Sequence, residues 1–139
     1  MKIVIIDGQG GRLGALVCEE LKRAFPHEEL LAIGTNSAAT AAMLKAGADL
    51  GATGENPVIV AARDADVIIG PLGILAADAM LGEVTPAMAV AVGQSPATKL
   101  LLPMTRCQNR VVGVKPLSMS ELVAEARECL AALLGQNRA

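Results

Sequence analysis

The first fourteen residues constrain the fold more than any other stretch: Met1-Lys2-Ile3-Val4-Ile5-Ile6-Asp7-Gly8-Gln9-Gly10-Gly11-Arg12-Leu13-Gly14. An apolar run ends in a glycine-rich turn, and a helical pattern starts at once. Leu13, Leu16, Val17, Leu21, Ala24 and Phe25 recur at the spacing of one helix face, and Pro26 stops the pattern. A strand that turns directly into a helix N-terminus presents unpaired backbone N–H groups and a partial positive charge. That combination forms a seat for phosphate or another anion.

The rest of the chain repeats the alternation. Strands are expected at Lys2–Asp7, Glu29–Gly34, Asp66–Gly70, Lys99–Pro103 and Arg110–Lys115. Ser37 is expected to cap a helix over Ala38–Ala46 that stops at Gly47. Between them lies an ambiguity. Either Ala48–Thr53 is a strand and Glu55–Arg63 a helix opened by Asn56-Pro57, or the β-branched run Val58-Ile59-Val60 is itself the strand. Regular alternation favours the first. Helices are expected at Ile74–Leu81, at Ala87–Gln94 behind Thr85-Pro86, and from the Ser118/Glu121 capping box to about Leu134. The expected architecture is α/β: a three-layer, open, mostly parallel sheet of five or six strands, Rossmann-like, forming one nucleotide-binding domain over residues 1–139.

Composition excludes several classes. The formal net charge is −2, with one Phe and neither Tyr nor Trp, so there is neither a basic stripe nor an aromatic platform for nucleic acid. No apolar run reaches the roughly 18–20 residues that cross a bilayer. Cys18, Cys107 and Cys129 are far apart and His27 is the sole histidine, so no disulfide framework or metal site is expected. The expected setting is cytoplasmic.

In open α/β sheets, ligands lie beyond the carboxyl ends of the strands. Those ends supply Asp7, then Gly8, Gln9, Gly10, Gly11, Arg12 and Leu13 as the expected phosphate turn. They also supply Thr35 and Asn36, Gly70, Pro71, Leu72 and Gly73, and Arg106. The G-x-x-G-x-x-G spacing of Gly8, Gly11 and Gly14 resembles the turn of short-chain-dehydrogenase-like and prephenate-dehydrogenase-like domains, which implies NADP or NAD. The alternative is a turn that serves only to pack the helix closely. The second strand ends in uncharged Thr35-Asn36, where an acid usually grips the ribose. With Arg12, these two residues suit a 2′-phosphate, hence NADP over NAD. Asp7 is either a turn stabiliser or a candidate chemical group, since a carboxylate about 5 Å from a phosphate repels it by roughly 3 kcal/mol at an effective dielectric of 20. Cys107, beside Arg106, is the other candidate. Glu83, between Gly82 and the Thr85-Pro86 cap, is either an acid or base facing the crevice or a helix-dipole partner on the surface, and the second reading is favoured.

The segments IDGQGG, GTNSAATAAMLKAGAD, GATGEN, DVIIGPLGI, MLGEVTPAMA and LLPMTRCQNRVVGV together resemble a short bacterial family, domain of unknown function 3842. The resemblance implies a Rossmann-like fold and carries no activity or site residue. Three functions are therefore weighed. The first is a nucleotide-binding (NAD(P)-type) sensor or regulatory subunit. The second is a small NAD(P)-dependent oxidoreductase, whose homodimer would supply the missing second wall. The third is a coenzyme A- or other phosphate-ligand-binding module. A homo-oligomer, most simply a dimer, is expected for the Ala- and Met-rich helices.

Overall fold

The computed structural model describes residues 1–104 and 108–138. Five strands form one parallel sheet: β1 (Ile3–Asp7), β2 (Leu30–Gly34), β3 (Leu50–Thr53), β4 (Val67–Pro71) and β5 (Thr98–Leu102). Five helices accompany them: α1 (Arg12–Ala24), α2 (Ser37–Lys45), α3 (Glu55–Ala62), α4 (Pro86–Gln94) and α5 (Met119–Arg138). The strand order is β3-β2-β1-β4-β5. Ile3 pairs with Leu30 on one side and Val67 on the other, and Asp7 with Gly34. The direction of winding reverses between β1 and β4, which opens a crevice beyond their carboxyl ends.

Every residue of β1 is buried, as a strand covered on both faces requires. Its side chains alternate between two cores. Ile3 and Ile5 pack with Val17, Leu21, Met43 and Leu130, under α1, α2 and α5. Val4 and Ile6 pack with Val58, Ile68, Met88 and Val92, under α3 and α4. Arg127 of α5 ties to Glu20 of α1 at 2.7 Å, holding the C-terminal helix alongside the first.

Three expectations about elements need correction. Arg110–Lys115 forms no strand. Gly113, at φ 88°, bends the valine run into a turn, and Val111, Val112 and Val114 stay exposed with no neighbouring strand to pair. The sheet accordingly has five strands among the described residues. Ile74–Leu81 is not an α-helix: one 3-10 turn, Leu72–Leu75, leads into a coiled segment in which Asp78, Met80 and Leu81 are left-handed. Tertiary bonds of that segment override its helix propensity. Asn36, not Ser37, caps α2, its side chain accepting the N–H of Ala39 at 2.9 Å. The ambiguity at Val58–Val60 resolves as helix α3, with Glu55 in its first turn.

Candidate functional site

The turn after β1 is built on close approach. Gly11 adopts φ 70°, and a Cβ there would lie 2.7 Å from the Ala39 backbone, so the turn packs directly on α2. Its amides divide into two groups. Gly8 N–H donates to Asp7 Oδ1 at 2.8 Å, Gly14 N–H to Asp7 Oδ2 at 2.7 Å, Gln9 N–H to Glu83 Oε1 at 2.8 Å and Gly11 N–H to the Gly8 carbonyl at 2.9 Å. The amides of Gly10, Arg12 and Leu13 have no acceptor among the described residues.

These three amides border a cleft of about 800 Å³. Its walls are Asp7, the turn from Gly8 to Leu13, Pro71 and Gly73, the segment from Ala76 to Leu81, and Met104, Gln108, Asn109 and Met119. Polar backbone of the turn lines one part; the rest combines alanine, leucine and methionine with the side chains of Asp78, Gln108 and Asn109. The cleft sits at the reversal point of the sheet, between β1 and β4.

Asp7 is 5% exposed and its two oxygens are engaged by amides of its own turn, the turn-stabilising arrangement. Burial raises its pKa; the bonds from Gly14 and Gly8 pull the other way without cancelling that, and Glu83 adds to the rise. It nonetheless lines the cleft.

Glu83 is the residue the sequence reading misplaced. It precedes the α4 cap, Thr85, and so is not a first-turn dipole partner at all. Its Oε1 accepts from Gln9 N–H, from Thr35 Oγ1 at 2.7 Å and from Asn36 Nδ2 at 2.7 Å. Burial alone would raise its pKa, yet the three bonds together hold it below the ordinary glutamate value. No local pattern in the sequence marks this role, because the donors lie 74, 48 and 47 residues away.

Of the residues expected to gather, the structure brings Asp7, Gly8–Leu13, Pro71 and Gly73 to one cleft. Gly70 and Leu72 lie beside it without lining it, and Thr35 and Asn36 are turned onto Glu83. The Arg12 side chain is exposed and has no hydrogen-bond or ionic partner among the described residues. Arg106 and Cys107 fall outside the described residues. Thr40, not singled out in the sequence, anchors the end of β2: its hydroxyl accepts from Gly34 N–H at 3.1 Å and meets Thr53 Oγ1 at 2.7 Å. Among the described residues no group of three His, Cys, Asp or Glu is placed to hold a metal ion, and no helix is long and apolar enough to cross a membrane.

A parallel sheet in this order, with its glycine turn under the first helix, is a Rossmann-like α/β fold. The chain belongs to the family described as domain of unknown function (DUF3842), whose model matches residues 2–134. Among solved structures it is similar to a dodecameric FMN-dependent Ubix-like decarboxylase from Escherichia coli O157:H7. That likeness has a TM-score of 0.52 and 16% identity, and covers 97% of this chain and 95% of that one, so it is a likeness of fold. No curated protein matches the sequence.

Proposed function

We propose that the chain is a small binding module for a phosphate-bearing nucleotide, acting as a sensor or regulatory subunit. The observation that carries this reading is the set of three partnerless amides, of Gly10, Arg12 and Leu13, at the polar edge of the 800 Å³ cleft. The volume lies in the range of small-molecule sites, and amides at a helix N-terminus favour an anion. The facing wall of Ala76, Ala79, Met80, Met104 and Met119 suits a flat ring, against which thioethers pack well.

The charge balance favours one phosphate over several, because Asp7 and Asp78 border the cleft and Arg12 is its single described cation. FMN, on which the structural neighbour depends, has that form and belongs among the probes. NAD and NADP would extend to Thr35 and Asn36, whose donors now serve Glu83. A catalytic reading, as a homodimeric oxidoreductase, has one observation in its favour: Asp7, with its raised pKa, lines the cleft. The structural neighbour is described as dodecameric, which supports testing this chain for self-assembly.

The test is a thermal-shift and calorimetric series with FMN, AMP, NAD, NADP and coenzyme A. A binder at 100 times its Kd stabilises by about 2.7 kcal/mol. Gly10→Asp puts a carboxylate beside the free amides, where a Cβ meets nothing within 4 Å, so it should remove the response without unfolding the chain. The reading fails if no compound shifts the melt, or if Gly10→Asp responds as wild type does.

A further inference from the structure

Glu83, half-buried at the sheet edge, does what a bound phosphate does in an anion site. A single oxygen, Oε1, receives the Gln9 amide, the Thr35 hydroxyl and the Asn36 carboxamide, at 2.7–2.8 Å. Those donors come from the turn after β1 and the end of β2, the edge of the sheet where ligands bind. The acceptor comes from elsewhere, the connection between β4 and α4. Asn36 is fixed independently: its Oδ1 caps α2 and its Nδ2 also reaches the Gln9 carbonyl at 2.9 Å. The donor set is thus held by the scaffold, and the carboxylate is brought to it.

The segment that brings it is poorly anchored at its tip. Asp78, Met80 and Leu81 take positive φ, conformations that L side chains rarely adopt, and Leu81 is 97% exposed. Backbone bonds hold the segment's base, such as Asp78 N–H to the Val84 carbonyl at 2.7 Å and Val84 N–H to the Ala79 carbonyl at 3.1 Å, and Ala79 and Met80 pack on the core of Val4 and Ile6. It rests on the glycine turn: a Cβ on Gly8 would lie 2.6 Å from both Met80 Sδ and Thr35 Oγ1. Met80 and Leu81 line the cleft on one side of this contact, while Thr35 and Asn36 lie beyond it.

We propose that the Gln9 amide, Thr35 hydroxyl and Asn36 carboxamide form an anion subsite for a phosphoryl group, closed by the Glu83 carboxylate and opened when that phosphoryl group displaces it. Displacement frees residues 76–83 to lift from the turn and joins the end of β2 to the main cleft. The subsite deepens the nucleotide reading and rests on the cleft of that reading for access, but its donors are different amides and side chains.

The experiment titrates inorganic phosphate, AMP and adenosine into the full ¹⁵N-labelled chain and follows the Gln9 amide and the Asn36 side-chain NH₂. With Glu83→Ala, phosphate should bind at least tenfold tighter than to wild type and move both resonances. Adding Thr35→Val should remove most of that gain. Glu83→Gln keeps an acceptor oxygen without the charge and should give a smaller gain, which carries the test if the alanine variant does not fold. In wild type, saturating AMP but not adenosine should speed amide exchange across residues 76–83. Phosphate affinity within twofold of wild type in both Glu83 variants, with the two resonances unmoved, overturns the proposal. So does AMP binding that leaves exchange across 76–83 unchanged. If AMP binds wild type, is lost in Gly10→Asp and is indifferent to Glu83, the subsite falls and the cleft reading stands. If phosphate moves Gln9 in Glu83→Ala while no nucleotide binds any form, the subsite stands and the nucleotide reading falls.

Discussion

Gly14→Ala should test how tightly the first helix is drawn onto the sheet. A Cβ at this position would lie 2.6 Å from Met43 Sδ, 2.8 Å from Asp7 Cβ and 3.1 Å from Asp7 Oδ2. Met43 can yield, being flexible; Asp7 cannot, because it is buried in the central strand. The helix must therefore move out, and the Gly14 N–H to Asp7 bond lengthens from 2.7 Å. Overpacking of a well-filled core costs about 1–3 kcal/mol. A weakened hydrogen bond to a buried carboxylate costs about 1.5–3 kcal/mol. Alanine returns about 1 kcal/mol of helix propensity. The net loss is about 1.5–5 kcal/mol, which for a chain of this size lowers the melting temperature by roughly 5–20 °C. Gly10→Ala, with nothing within 4 Å of the new methyl, should stay within about 0.5 kcal/mol of wild type. Far-ultraviolet circular dichroism is the readout, since the chain has no Trp or Tyr. The deficit should also depend on pH. Asp7 has a raised folded pKa, so its proton-linked stabilisation is complete below about 3.9 and is lost as pH rises through the folded value. Losing the Gly14 bond raises that value further, so the deficit should be larger at neutral pH than near pH 4. A Gly14→Ala melt within about 2 °C of wild type would refute the reasoning.

Two further outcomes follow from single side chains. Cys18 is fully buried, and burial, reinforced by Asp7 and Asp49, pushes its thiol up to about 12. Iodoacetamide on the native protein at pH 8 should therefore label exposed Cys129 and spare Cys18 until denaturant is added; peptide masses showing equal labelling would contradict this. Glu83 titrates in the opposite sense to Asp7. Its lowered folded pKa stabilises the fold above the unfolded value near 4.3, and that contribution disappears as pH falls through the folded value. Urea denaturation between pH 3 and 7 should show the gap between wild type and Glu83→Gln closing at the acid end, offset only in part by the smaller rise that Glu83 imposes on Asp7; a constant gap would mean the three bonds to Glu83 do not form in solution.

Wherever local chemistry decides the structure, the sequence was readable. Ile3–Ile6 is unbroken because β1 is covered on both faces, and Thr85-Pro86 opens α4 because the cap and the missing proline N–H both suit a first turn. The glycine turn was legible for the same reason, and the structure gathers most of its expected partners into one cleft. What was hidden depended on residues far apart in the chain. Val111–Val114 has strand propensity but no partner, so nothing converts propensity into a strand. Glu83 sits 74 residues from Gln9 and 48 from Thr35, and no local pattern announces such a contact. Asn36 and Ser37 are both good caps by residue type; only the geometry, in which Asn36 also reaches Gln9, separates them.

The two carboxylates at this edge also show why a glycine turn does not by itself define a ligand. Of the seven amides from Gly8 to Gly14, Asp7 takes two, Glu83 a third and the Gly8 carbonyl a fourth, leaving those of Gly10, Arg12 and Leu13 at the edge of the cleft. The turn is therefore partly neutralised before any ligand arrives. An arriving anion gains the remaining amides but meets the field of Asp7, worth roughly 3 kcal/mol per unit charge at 5 Å and an effective dielectric of 20. Protonation of Asp7 removes that field, and its raised pKa makes the proton less costly to hold than on an exposed aspartate. On the binding function proposed above, anion uptake and proton uptake at this edge are coupled in sign: each favours the other. Selectivity on that reading comes from where the acids sit, and not from the number of glycines.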